Sequence, residues 1–139
     1  MKAISEKIRV STKGHTDVID ITGSVSGLLA KHKLQTGNAT VFVSGSTAGV
    51  TTVEYEPGLV KDLPEAFEKI APTGKSYHHD ATWGDNNGYA HVRASLLGPS
   101  LTIPFNNGGL LLGTWQQVVL IDFDDRPRER VIVVQLIGD

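Results

Sequence analysis

The chain has 139 residues, 13 Lys and Arg against 15 Asp and Glu, a formal net charge of -2 and no cysteine. That length suits one domain, residues 1–139, able to bury roughly two-thirds of the surface it exposes when unfolded. The missing cysteines exclude disulfides, thiolate metal sites and cysteine nucleophiles, and the balanced charge argues against nucleic acid or a membrane surface as partner.

The first residues, "MKAISEKIRVS", carry charges where a signal peptide needs an apolar run, and no segment reaches the ~20 apolar residues of a membrane span, so the expected location is cytoplasmic. Residues 4–11 alternate as a strand, and "VIDIT" (18–22) reads as a second. Residues 24–33 place Val25, Leu28, Leu29 and His32 at helical spacing, and Gly37-Asn38 ends that pattern. "ATVFVSGS" (39–46) and "GVTTVEYE" (49–56) read as strands joined by a tight Gly/Ser hairpin turn. Residues 59–70 form an amphipathic helix whose start Pro64 could shift.

"YHHDATWGDNNGYAH" (77–91) then reads as an irregular connection, with Asn87 capping a short helix over "GYAHVRASLL". Four strands are expected over 100–105, 109–113, 115–124 and 129–137, with "GG" (108–109) and "DDRP" (124–127) as hairpin turns and the last strand central. The sum is an α+β fold of mostly antiparallel sheets with two or three short helices.

Four segments offer chemistry. In the first, His79 and His91 are the strongest candidates. Without cysteine, a divalent metal (zinc, magnesium or manganese) would draw on histidine and carboxylates, here Asp80, Asp85 or Glu54. His91 falls in the first helical turn, where the dipole disfavours imidazolium. Acid–base work without metal and a solvated loop are the other readings. His78 reads as pointing to solvent, and His15 and His32 as surface or interface residues.

In "SGSTAG" (44–49) the glycines, Ser46 and Thr47 can present N–H groups and hydroxyls to an anion, or simply turn the chain. In "GTWQQ" (113–117), Trp115 can stack a planar ring beside Gln116, or fill the core. In "DDRPRER" (124–130), Arg126, Arg128 and Arg130 alternate, as for phosphate or a subunit contact, although a solvated edge is the commoner cause.

Together, "STAGVTTVEYEPG", "YHHD", "HVRASLLGPSLTIPF" and "GGLLLGTWQQVVLIDFDDRPR" resemble the YjbQ-like family, also labelled secondary thiamine-phosphate synthase, over nearly the whole chain and in the expected order. The resemblance implies a β-sandwich-like core, packing as a homotrimer, and weak activity joining a pyrimidine diphosphate to a thiazole phosphate. The family's Tyr-x-His-Asp matches Tyr77, His79 and Asp80. Its later histidine matches His91, its Gly-Thr-Trp-Gln matches Gly113 to Gln116, and its acidic residue after the first hairpin matches Glu54.

One departure is that many members have His-Thr-Thr or His-Thr-Ser where this chain has Gly45-Ser46-Thr47. A metal site here would then rest on His79 and His91 with Asp85 or another carboxylate, or on a neighbouring subunit. In the synthase reading His79, His91 and Glu54 are catalytic. Trp115, Gln116, Ser46, Thr47 and Arg128 (or Arg93) bind a small, phosphorylated substrate. The alternative is a non-catalytic trimer that binds a metabolite or metal.

Overall fold

The first strand, β1 (Lys2–Thr12), pairs antiparallel along its whole length with the last, β8 (Arg128–Gly138), in a computed structural model that describes residues 1–139. Between them, in order, come β2 (Asp17–Asp20), α1 (Thr22–His32), β3 (Gly37–Ser44), β4 (Ala48–Val53), α2 (Pro57–Ile70), α3 (His78–Trp83), α4 (Gly88–Leu97), β5 (Ser100–Asn106), β6 (Gly109–Leu110) and β7 (Gln117–Asp122). The strands form two antiparallel sheets, ordered β1-β8-β3-β5-β6 and β2-β7-β4. This is an α+β fold with a sandwich-like core, and β8 is central as its apolar run predicts.

Alternation on the strands decides the packing. Val41 and Val43 on β3, Ile132, Val134 and Leu136 on β8, and Val118 and Leu120 on β7 turn into the space between the sheets, closed at its side by Val25 and Leu29 of α1. The opposite face of β7 presents Val119 and Ile121, continued by Phe123, to Tyr89, Ala90 and Ala94 of α4. Leu63 and Phe67 of α2 pack on the same cluster. β7 is therefore buried on both faces, which explains "VVLI" without a polar break. Each such side chain contributes about 1.5–3 kcal/mol of burial.

Two expected hairpins are different objects. β3 and β4 lie in different sheets, so the 44–48 turn carries the chain from one sheet to the other; β7 and β8 are related in the same way by residues 122–128. The β1–β2 connection is a third such crossing. All three are fastened at one corner. Asp122 accepts from Thr12 Oγ1 (2.6 Å) and from Arg130 Nε (2.7 Å), Arg130 Nη2 donates to Thr47 Oγ1 (2.6 Å), and Phe123 N donates to Thr47 O (2.9 Å). Polar ties between distant residues, rather than local turn chemistry, set these reversals.

The β5–β6 connection is a true hairpin. Asn107 and Gly108 both have positive φ (51° and 73°), as a two-residue type I′ loop requires. β6 has only two residues, and the strand expected from 115 begins at Gln117.

There are four helices rather than two or three. α2 begins at Pro57, with Glu56 accepting from Gly58 and Leu59, and contains Pro64. The unexpected one is α3, inside the stretch read as irregular. It is held by Asp80, whose two oxygens accept from Tyr77 N (3.1 Å) and Gly88 N (2.9 Å), so one carboxylate ties the start of α3 to the start of α4. No helix is long and apolar enough to cross a membrane.

Candidate functional site

α3 delivers His79 and α4 delivers His91, and the two imidazoles meet with ring centroids 4.1 Å apart and planes tilted 45°. The approach depends on Gly88. A Cβ there would stand 2.5 Å from Tyr77 Cβ, so only glycine lets α4 start this close to α3. Asn87 occupies the N-cap position of α4 but does not cap it through its side chain; its amide donates instead to Asp124 Oδ1 (3.3 Å).

The pair is not symmetric. Burial lowers the pKa of His91, and the neighbouring His79 lowers it further, against smaller opposing effects of Asp124, Asp85 and Asp80. His91 is thus driven to the neutral imidazole. His79 Nε2 lies 3.3 Å from Asp85 Oδ1, and both atoms are buried without a well-formed hydrogen bond. Buried polar atoms are normally satisfied, so each is the other's nearest partner in a loose pair.

His91 also lines a cavity of about 210 Å³, whose other walls include Gly45, Ser46, Ala94 and Ser95. The turn singled out for anion binding and the histidine of α4 therefore share one space, above the corner where the sheets join. Thr47 is buried beneath it and donates to Asp124 (3.1 Å).

The corner is strongly charged. Asp122, Asp124 and Arg130 are all buried. Burial raises the Asp124 pKa, but the Asp125 N–H, the Asn87 amide and the Arg128 guanidinium outweigh it and hold the carboxyl well below the usual range. Buried charges persist only when paired and hydrogen-bonded, as these are.

The sequence-predicted residues divide. His91 and Ser46 line the cavity, while His79 meets the His91 ring and Asp85 approaches His79 without either of them lining it; Thr47 is buried next to Ser46. Glu54 is exposed and makes no hydrogen bond or ion pair with either histidine. Gln116 lines a different cavity, of about 370 Å³, with Val50, Leu97 and Leu112, and donates to Thr52 (3.0 Å). Trp115 is 72 % exposed and lines neither cavity, which removes the core reading.

Arg128 is committed to Asp124 (2.8 Å). Arg93 is buried against Ala71 O, Thr16 and Glu68 as a structural clamp, not a phosphate holder. Asp80 is spent on the two backbone donors described above. His32 bonds Glu6 rather than standing free.

For Arg130 the sequence offers phosphate or a subunit contact and favours a solvated edge; the structure buries it, at 7 % exposed, on Asp122 and Thr47. The alternation that separates Arg130 from Glu129 was the available signal.

No group of three or more His, Asp or Glu side chains converges as a metal-ligand set in the chain. The His79–Asp85 pair is nevertheless compatible with two ligands of one ion: tetrahedral zinc with bonds of about 2.0–2.1 Å separates its ligands by about 3.3 Å.

Residues 6–139 match the family model described as "UPF0047 protein YjbQ-like". The chain is 37% identical over 138 residues to a UPF0047 protein of Methanothermobacter thermautotrophicus, covering 99% of this chain and 94% of that one. It is 30% identical to the UPF0047 protein YugU of Bacillus subtilis, covering 94% and 97%. Among solved structures, a YbjQ-like protein of unknown function from Sulfolobus solfataricus superposes with a TM-score of 0.93 at 32% identity, over 99% of each chain. A hypothetical protein from Aeropyrum pernix gives 0.91 at 31% identity, over 98% of this chain and 99% of that one.

Proposed function

Because the chain belongs to the YjbQ-like UPF0047 family, we propose that the cavity between the 44–48 turn and α4 is the site of a cytoplasmic small-molecule enzyme, with His91 and His79 as its acid–base pair and Asp85 positioning His79. The observation that carries this reading is the ring contact between two histidines from different helices, one of them driven neutral and lining the cavity. Structural histidines seldom need a like-charged neighbour. Coupled pairs of titratable groups cluster at functional sites.

The specific reaction we assign is the one that the family resemblance implies. The thiazole ring nitrogen attacks the methylene carbon of the pyrimidine diphosphate. A C–N bond forms, the C–O bond breaks, and the electron pair leaves with diphosphate. A proton shared by the imidazole pair is given to the leaving diphosphate, and the neutral ring accepts one from solvent to reset the pair. Trp115 and Gln116 lie outside this cavity, so ring stacking on Trp115 has no part in the reaction.

Incubating the protein with both substrates and following thiamine phosphate tests this directly. His79→Ala and His91→Ala each reduce the rate at least ten-fold, while His78→Ala leaves it unchanged. Full activity in folded His79→Ala and His91→Ala variants would remove both histidines from the chemistry.

A second reading is favoured by the orphaned His79 Nε2 and Asp85 Oδ1, 3.3 Å apart. They would hold a divalent ion, with a further ligand from a neighbouring copy in a homotrimer, and the site would bind a metabolite without turnover. Such an ion would supply Lewis-acid stabilisation of a bound oxyanion. Zinc or manganese titrated into stripped protein should then raise Tm in the parent chain and not in Asp85→Ala.

A further inference from the structure

The geometry points to a phosphoryl-binding subsite at Gly45, built by the otherwise buried guanidinium of Arg130. Arg130 uses Nε and Nη2 fully: Nε donates to Asp122 Oδ2 (2.7 Å), and Nη2 donates to Asp122 Oδ1 (2.8 Å) and Thr47 Oγ1 (2.6 Å). Nη1 enters none of these hydrogen bonds. It lies 2.7 Å from the point where a Cβ at residue 45 would stand, and at that point the chain has glycine.

Gly45 is exposed and lines the cavity that His91 and Ser46 also line. Nη1 thus stands against the bare backbone of Gly45, a residue of the cavity wall, in an arginine that is 7 % exposed as a whole.

This is a built site rather than a loose surface cation. The bidentate pair with Asp122 fixes the plane of the guanidinium, so little side-chain freedom remains to be lost when an anion arrives. The donors nearby are neutral: the Ser46 hydroxyl and the His91 ring, the Ser95 hydroxyl on the same wall being used by His91 O (2.7 Å). One fixed cation with two neutral donors suits a tetrahedral oxyanion, which has more acceptor positions than a carboxylate.

Arg93 cannot serve, because its three guanidinium nitrogens are all engaged elsewhere, and Arg128 pairs with Asp124 and is not the arginine that meets the Gly45 Cβ position. The inference names the phosphorylated substrate class of the proposed function, but its evidence lies in Arg130 and Gly45, not in the histidines.

The probe is inorganic phosphate, titrated into full-length protein in EDTA and followed by calorimetry and thermal melting. The parent chain binds, with a rise in Tm. Gly45→Ala puts a methyl group against Nη1 and weakens binding at least ten-fold. Because φ is +157° at Gly45, that variant can also fold poorly. Ser95→Asp, an exposed change that adds negative charge to the same wall, supplies the second arm and weakens binding by a similar factor.

His79→Ala keeps phosphate affinity within about two-fold, so loss of catalysis and loss of the anion subsite are separable. Absence of phosphate binding by the parent chain overturns the assignment. So does unchanged affinity in a folded Gly45→Ala variant or, if that variant does not fold, in Ser95→Asp.

Discussion

His79 and His91 face each other across 4.1 Å although they belong to different helices, and the carboxylate that makes this possible, Asp80, touches neither ring. It binds the N–H groups at the start of each helix, so the distance between the imidazoles is set by backbone, not by the rings' own attraction. Predictions about the pair therefore concern its environment as much as its members.

The pH dependence of stability should carry a His91 component. Its pKa is lowered on folding, chiefly by burial. Below the unfolded value, about 6.5, the unfolded chain binds a proton that the folded chain refuses. His91's contribution is therefore full above about pH 6.5 and is lost as pH falls toward the folded value. Asp124 and Glu68, whose pKa values are also lowered, lose stability further down, in the carboxylate range. Urea midpoints at pH 7.5 and pH 5.5 should differ more for the parent chain than for His91→Gln; an equal difference would contradict the assignment.

Gly88→Ala tests the close approach of the helices. The new methyl group meets Tyr77 Cβ, at a nominal 2.5 Å, and must push α3 from α4. Overpacking of this kind costs about 1–3 kcal/mol. The ring contact should loosen as well, seen in NMR titrations as a His91 pKa moving back toward that of a free imidazole.

Asp122→Ala strips the sheet corner of its central acceptor. Arg130 would keep a buried charge with its main partner gone, a loss of about 3–5 kcal/mol. Denaturant unfolding measures it, and a loss under about 1 kcal/mol would mean that the corner is not structural.

Trp115→Ala should leave stability within about 0.5 kcal/mol of the parent, because the indole is 72 % exposed. A larger drop in the melting transition would show that the indole packs against another chain.

The regular parts of the fold are legible where the signal is local. Alternation in 4–11 gives β1, the apolar run in 129–137 gives β8, and the i, i+3, i+4 spacing of Leu63, Phe67 and Ile70 gives α2. The turns at 44–48 and 122–128 are located correctly, yet their role is not. Gly, Ser, Asp and Pro reverse a chain in the same way whether the next strand pairs with the previous one or joins another sheet. The choice is made by Thr12, Thr47, Asp122 and Arg130, which are distant in sequence.

α3 is hidden for a related reason. Six residues hold no apolar period, and its support is one carboxylate shared with Gly88. In the site, His91 is legible because its helix is, and Asp85 and Ser46 are legible as side-chain types. Glu54 shows the opposite: a carboxylate near the right segments in sequence, but on the surface and unpaired with either histidine. Arg130 is hidden because burial of a charge depends on partners that no local window contains.

The eleven-residue pairing of β1 with β8 has a consequence for the order in which the molecule assembles. β1 has no other strand neighbour, and β8 must insert between β1 and β3. On the ribosome, the first strand made waits for the last. Arg130 arrives with β8, long after its ladder partner Val10, so the anchored guanidinium under Gly45 cannot exist in any nascent chain that lacks β8. Contacts of such high sequence separation predict slow folding, in milliseconds to seconds, with the proposed anion subsite appearing only in the final phase.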